Sequence, residues 1–122
     1  MNWDVSPDGS RLALIGERED KHYGKIEVLT FSDGTWHEIS PERGLGLLMF
    51  LAWAADGNGF FVGSWENNSS DLAHISLDGN VKMLMRNGYR QSVGKLLPSP
   101  DGKYLAYQGS TTDSNVWMLE GF

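Results

Sequence analysis

The sequence predicts an all-β protein made of three repeats of a four-stranded antiparallel meander, with the first and last repeats incomplete. Two observations predict it: one tight-turn motif occurs three times, and a second Asp-Gly turn follows it in the first two repeats. The composition agrees, because 15 glycines in 122 residues suit short strands joined by many tight turns.

The tight-turn motif is Ser-Pro-Asp-Gly at Ser6–Gly9 and at Ser99–Gly102, with a degenerate copy, Ala-Ala-Asp-Gly, at Ala54–Gly57. Its glycines stand at positions 9, 57 and 102, close to the spacing of roughly 40–45 residues expected of a four-stranded repeat unit. Proline in second place presets φ for a type I turn, and glycine in fourth place accepts positive φ. Each copy therefore predicts a hairpin between the first and second strands of a repeat.

A short apolar strand follows each copy after a polar loop, at Lys25–Phe31, Asp71–Leu77 and Asn115–Leu119. The first two of these strands lead through Asp-Gly into a fourth strand, which is a strong hairpin signal. The fourth strands are predicted at Thr35–Ile39 and Asn80–Met85. The total is eleven strands, the first of them cut short at Met1.

A single meander exposes two apolar faces, and stacking sheets side by side around an axis covers them. This predicts a β-propeller-type segment over residues 1–122, with repeats at approximately 1–40, 41–86 and 87–122. A solenoid or a plain sandwich is the alternative arrangement. The apolar run Leu45–Trp53 begins the second repeat and is predicted to be buried on both faces, beside the central channel.

The pattern Ser-Pro-Asp-Gly-x-x-Leu-Ala-Tyr, present at Ser99–Tyr107 and nearly so at Ser6–Leu14, resembles the WD40-like (PD40) repeat of TolB-like propellers. The segment Asp113–Leu119 is similar to the third strand of that repeat. The resemblance implies a propeller fold for essentially the whole chain, and related repeats also occur in prolyl-oligopeptidase-like and tricorn-like proteases. It also implies a bacterial-looking repeat protein, with the degenerate second copy as a departure.

Propellers typically need about 4–8 blades, so three repeats do not close a ring. Two explanations stay open. The chain is the C-terminal part of a longer protein, or several chains assemble, in which case a homodimer would complete a six-bladed ring and cover the open sheet edges.

Composition excludes several classes of partner. A net charge of −6 disfavours nucleic-acid binding, and the longest apolar stretch, Gly44–Trp53, is too short for membrane insertion. The absence of cysteine excludes disulfides and thiolate metal sites. No signal-peptide pattern follows Met1, and the compartment, periplasmic or cytoplasmic, stays open.

The sequence predicts no catalytic residues, no metal site and no cofactor. There is no Gly-x-Ser-x-Gly nucleophile motif, and no two histidines have metal-ligand spacing. The carboxylates of Glu17, Glu19 and Asp20 alternate with basic residues and are interpreted as a solvated loop. The acids before the third strands are predicted to cap their loops rather than to bind calcium; they are Asp20, Asp71 and Asp113.

Aromatic residues and histidine are assigned first to packing. Trp3 and Trp53 are aligned with Leu97 and predicted to lie in the blade core. His74 aligns with Val28 and Met118 and is predicted to face the core between blades and to hydrogen-bond a neighbour.

The candidate binding residues lie in loops predicted to share one rim, where propellers commonly carry function. Trp65 is a candidate ligand-facing aromatic, and arginine and tyrosine are common interface anchors. The five candidates are Arg43, Trp65, Arg86, Tyr89 and Arg90. The predicted function is a non-catalytic protein-interaction, sensor or scaffold module. The alternatives are an accessory propeller of a peptidase or other hydrolase, and a self-assembling structural fragment without a ligand.

Overall fold

The computed structural model describes residues 2–17, 24–42, 45–66, 69–89, 92–110 and 114–121. All regular elements in these ranges are β-strands, and the predicted number of eleven is confirmed. They are β1 (Trp3–Val5), β2 (Arg11–Glu17), β3 (Gly24–Thr30), β4 (Trp36–Ile39), β5 (Leu47–Trp53), β6 (Gly59–Glu66), β7 (Ser69–Ser76), β8 (Val81–Tyr89), β9 (Ser92–Pro98), β10 (Tyr104–Ser110) and β11 (Ser114–Glu120).

The strands form three antiparallel meanders, as the repeats predict. Sheet 1 has the order β1-β2-β3-β4, sheet 2 has β5-β6-β7-β8, and sheet 3 has β9-β10-β11. Sheet 3 has three described strands, as expected for the incomplete last repeat. Strand β8 continues to Tyr89, past the predicted repeat boundary at residue 86. No helix in the described part of the chain is long and apolar enough to cross a membrane.

The recurring turn is built by the same hydrogen bonds in the first and third repeats. The amide of Gly9 donates to the Ser6 carbonyl at 2.9 Å, and the amide of Arg11 donates to the Ser6 hydroxyl at 3.0 Å. Ser99 makes both bonds in the same way with Gly102 and Tyr104. The three turn glycines have φ between 72° and 75°, which confirms the predicted positive φ.

Strand register fixes which residues are equivalent between repeats. Trp3 is opposite Leu14, whereas Trp53 is opposite Phe60. Counted from the turn glycines, Trp3 corresponds to Leu51 and Leu96, and Trp53 corresponds to Val5 and Pro98. The alignment of Trp3 with Trp53 and Leu97 was therefore wrong, because they lie six, four and five positions before their turn glycines, which places Leu97 on the opposite face.

The core between sheets 1 and 2 is formed by apolar side chains from both sheets. Ala13, Ile26 and Val28 of sheet 1 pack against Leu51 and Phe60 of sheet 2, among others, and all are nearly or fully buried. The first strand of sheet 1, β1, also forms hydrogen bonds with β5. Asp4 accepts the Trp53 amide through Oδ2 at 2.9 Å, and its carbonyl accepts the Trp53 indole N–H at 3.0 Å.

The core between sheets 2 and 3 uses the opposite face of sheet 2. Phe61 and Leu72 pack there with Leu96 and Leu105 of sheet 3. Strand β5 contributes to both cores, with Leu51 and Trp53 on one side and Ala52 on the other. The predicted burial of β5 on both faces is confirmed for this half of the strand, whereas Leu47 and Met49 at its beginning are exposed.

Trp53 is 2% exposed, as predicted for a core residue, but Trp3 is 50% exposed. The prediction of a core position for Trp3 was wrong for a structural reason. Its equivalents Leu51 and Leu96 face the preceding sheet, and no described sheet precedes sheet 1.

Candidate interaction surfaces and an inter-sheet cleft

Two large surfaces of the molecule are sheet faces without a covering sheet. The leading face is the side of sheet 1 turned away from sheet 2, and it carries Trp3, Val5, Leu12, Leu29 and Trp36. Cross-strand pairs place these residues on one side, because Val5, Leu12, Leu29 and Trp36 lie directly opposite one another in neighbouring strands. Trp3, Val5 and Trp36 are exposed.

A charged group borders the apolar part of the leading face. The Lys25 ammonium lies 3.3 Å from Oε2 of Glu38 and 3.5 Å from Oε1 of Glu27. The hydrogen bond to Glu38 raises the pKa of Lys25 above its usual range. The leading face thus combines an apolar area with a polar border, the composition that protein interfaces have.

The trailing face is the side of sheet 3 turned away from sheet 2, and it carries Leu97, Tyr104, Val116 and Met118. Leu97 and Met118 flank Ala106 in the strand pairing, so the three share one side of the sheet. Val116 is 78% exposed, Met118 67% and Leu97 62%. Clustered apolar side chains with such exposure are more typical of interaction surfaces than of ordinary solvated ones.

Both faces correspond to surfaces that are buried inside the molecule. Met118 is equivalent to Val28, which is buried against sheet 2, and Trp3 is equivalent to Leu51, which is buried against sheet 1. The exposed leading and trailing faces therefore have the positions of the two halves of an inter-sheet interface.

A cleft of about 580 Å³ opens between sheets 2 and 3, beside the Ala54–Gly57 and Ser99–Gly102 turns. Its polar lining consists of Asp56, His74, Lys82 and Asp101, and its apolar lining includes Phe61 and Pro98. Sequence reasoning did not find this site, because its residues come from four separated segments. The sequence offered one indication of this site: two residues after the turn glycine, the second repeat has Gly59 where the first repeat has Arg11.

His74 lies at the boundary between sheets 2 and 3, which agrees with the predicted inter-blade position. Its ring contacts Phe61 edge-on, with the centroids 5.4 Å apart. The predicted hydrogen bond is not observed between His74 and any other described residue. Burial lowers the pKa of His74 below 6.5, as does Lys82 to a smaller degree, whereas Asp56 opposes the shift.

Three of the five rim candidates, Trp65, Arg86 and Tyr89, lie in the described part of the chain, at one end of sheet 2. Trp65 and Arg86 face opposite sides of the sheet. Trp65 is opposite Ser70 and Arg86 is opposite Asp71. Ser70 and Asp71 are consecutive, so Trp65 faces the sheet 3 side and exposed Arg86 faces the sheet 1 side. Tyr89 is paired with Ser69 at the same end. Arg43 and Arg90 lie outside the described residues.

The described residues include no group of three or more histidine or acidic side chains placed to hold a metal ion. Of the three acids before the third strands of the repeats, Asp71 is in β7, while Asp20 and Asp113 lie outside the described residues. The turn acids Asp8, Asp33 and Asp101 each accept hydrogen bonds through Oδ1 within their own turns, from residues two positions away.

Solved structures with the same fold are numerous, although no family model and no curated protein matches the chain. A protein described as a TolB from Agrobacterium tumefaciens superposes with a TM-score of 0.77 at 19% identity, over 97% of this chain and 44% of that one. TolB from Acinetobacter baumannii gives 0.72 at 20% identity, over 98% and 29%. Prolyl oligopeptidase B from Galerina marginata gives 0.68 at 18% identity, over 97% and 20%.

The chain is thus an all-β protein of the propeller class. More particularly, its three meanders have the fold of TolB-like propeller blades. The chain spans less than half the length of each of these structures.

Proposed function

We propose that residues 1–122 form one propeller segment that acts as a non-catalytic protein-interaction module, and that its interaction surfaces are the leading and trailing faces. The observation that carries the proposal is the exposure of apolar residues at positions whose equivalents are buried between sheets. A surface of this kind is complementary to another blade.

The first partner that fits is a second copy of the chain. Three blades are half of a six-bladed ring, so a twofold axis would bring the trailing face of each copy onto the leading face of the other. The two contacts are heterologous, and such contacts close into a ring only when the rotation fits. Closure also removes the unpaired sheet faces that otherwise promote aggregation.

A substitution on the trailing face tests this proposal. Met118→Asp places a carboxylate in the contact, and burial of an unpaired charge weakens association strongly. We expect the dissociation constant of the dimer to rise at least tenfold, about 1.4 kcal/mol, when measured by sedimentation velocity over a concentration series.

The matched control is Met49→Asp, because Met49 is also an exposed methionine but belongs to sheet 2, which is covered on both sides. This variant should associate like the parent chain. Equal association of Met118→Asp and the parent chain would contradict the proposal.

A second candidate function is that of an accessory propeller in a hydrolase, favoured by the likeness to prolyl oligopeptidase B. In that case the two faces would be covered by further blades of a larger chain. A competition experiment distinguishes the two candidate functions. A dimer formed through the two faces is insensitive to an added hydrolase domain, whereas an accessory propeller binds that domain.

The five rim residues remain proposals for partner contact; they are Arg43, Trp65, Arg86, Tyr89 and Arg90.

A further inference from the structure

The two inter-sheet interfaces of the chain differ at several equivalent positions, and one of these differences concerns a residue that crosses the first interface beside its turns. Between sheets 1 and 2 the position is Arg11. Its Nη2 donates to the Gly57 carbonyl at 3.1 Å, and its guanidinium carbon lies 4.5 Å from the centre of a Trp53 ring. Arg11 also acts electrostatically on Asp8, the acid of the neighbouring turn. A guanidinium group therefore occupies the first interface.

Between sheets 2 and 3 the same position is Gly59, which has no side chain that could reach Gly102 as Arg11 reaches Gly57. A β-carbon at Gly59 would lie 2.7 Å from the His74 ring and 2.6 Å from the Ile75 carbonyl, so the chain cannot place its own larger residue there without rearrangement. The equivalent of Trp53 is Pro98, a smaller apolar surface, and the equivalent of Gly57 is Gly102. Both line the cleft.

The acceptors that surround Arg11 in the first interface are also present in the second. Asp56 corresponds to Asp8, and Gly102 supplies the carbonyl that corresponds to that of Gly57. The hydrogen bonds that Asp101 accepts from Ser99 and Lys103 go to Oδ1, and no described residue donates to its Oδ2. Asn58 likewise donates to Oδ1 of Asp56. Two carboxylate oxygens and one carbonyl are thus available to a cation.

The balance of charge in the cleft also favours a cation. Asp56 and Asp101 contribute two negative charges, and Lys82 contributes one positive charge. Lys82 makes no ion pair with a carboxylate of the described residues. Burial lowers the pKa of His74, which disfavours its charged form. The net charge is negative, and the acceptors suit the forked donors of a guanidinium better than a single ammonium.

We infer that the cleft between sheets 2 and 3 binds the guanidinium group of an arginine side chain from a partner peptide, in the place that Arg11 takes in the first interface. The inference gives a ligand chemistry to one site of the interaction module proposed above. Because the cleft is formed by two sheets of the same chain, its test does not depend on closure of the ring.

The experiment is a titration of the full chain with Nα-acetyl-arginine amide, followed by amide NMR shifts of Gly102 and Ala55. We expect saturable shifts with a dissociation constant in the millimolar range. Asp56→Asn and Asp101→Asn keep the Oδ1 acceptor of each turn and remove the charge, so each should weaken binding about tenfold, the cost of one charge-assisted hydrogen bond.

Matched controls separate this site from general charge effects. Asp8→Asn makes the same change in the first interface and should leave the affinity unchanged. Lys82→Ala should leave it unchanged or strengthen it, because the lysine repels the cationic probe, and a weakened affinity for the arginine analogue in this variant would overturn the inference. Equal shifts with the lysine or the uncharged citrulline analogue would also overturn it.

Arg11→Ala supplies an independent test of the equivalence. Removal of this side chain should open a second cleft, and the arginine analogue should then also shift the Gly57 amide and the Trp53 indole signal. A folded Arg11→Ala chain that gains no second site would contradict the argument from the repeats. If this variant does not fold, the two Asp→Asn variants still decide the question.

Discussion

At the residue scale, a single repeat position has three different roles in this chain. Arg11 fills the interface between sheets 1 and 2 through its guanidinium group. Gly59, at the equivalent position, lies against the His74 ring, and Tyr104 lies on the exposed trailing face. The strand pairing is equivalent in the three repeats, so the side chain at this position determines whether it reaches the turn of the next sheet.

The turn aspartates give the chain a predictable dependence on pH. Hydrogen bonds from the Ser10 hydroxyl, the Ser10 amide and the Ser6 hydroxyl lower the pKa of Asp8 from 3.8 to about 2. The pKa values of Asp33 and Asp101 shift in the same direction, chiefly through Thr35 and Ser99 respectively. A folded-state pKa below the unfolded value stabilises the fold above the unfolded pKa, and this stabilisation is lost as the pH falls through the folded one.

We therefore predict that the urea midpoint of unfolding decreases as the pH is lowered from about 4 to about 2. Asp8→Asn retains an acceptor for the turn but does not titrate, so its midpoint should change less over this window. The measurement is a series of urea titrations followed by tryptophan fluorescence. Identical pH dependence of the variant and the parent chain would contradict the assigned role of Asp8.

The turns could be predicted from the sequence because each depends on a few neighbouring residues, such as Ser99, Pro100, Asp101 and Gly102. The alignment of Trp3 with Trp53 could not be judged in this way. Counted from the turn glycines, Trp3 and Trp53 differ by two positions and share a face, whereas Leu97 differs from each by one position and faces the other side.

At the element scale, the start of β5 depends on a glycine that permits close approach to the end of β6. Gly46 has φ of 77°, and a β-carbon there would lie 2.5 Å from the Trp65 carbonyl and 2.6 Å from the Glu66 β-carbon. Both the backbone conformation and the available space therefore require glycine.

Gly46→Ala should accordingly lower the free energy of unfolding by about 3 kcal/mol, since a left-handed backbone costs roughly 1–2 kcal/mol and the overlap adds to it. The matched control is Gly34→Ala, because Gly34 has φ of 68° and no atom would lie within 4 Å of the new β-carbon. This control should lose about 1–2 kcal/mol. Equal losses, measured by urea denaturation, would mean that the approach of Gly46 to β6 is unimportant.

The eleven strands were predictable because hydrophobic segments between turn motifs are local features. The cleft was not, because Asp56, His74, Lys82 and Asp101 approach one another only when sheets 2 and 3 pack together. The rim candidates show the same limit: Trp65 and Arg86 reach one end of sheet 2, but strand alternation places them on opposite faces.

At the scale of the whole molecule, three sheets are stacked so that the middle one is covered on both faces and the outer ones on one face each. Trp3 and Trp36 remain exposed at one end, and Val116 and Met118 at the other. The same stacking that buries Trp53 thus leaves the leading face and the trailing face of the molecule apolar and exposed. We propose that these two surfaces are the halves of one further interface.

The measurement that tests this claim most directly is the solution mass of the chain by size exclusion with light scattering. We predict about 27 kDa, twice the chain mass of 13.6 kDa, at micromolar concentration, with dissociation on Met118→Asp. A mass of one chain across the accessible concentration range would contradict the closure of a ring by two copies.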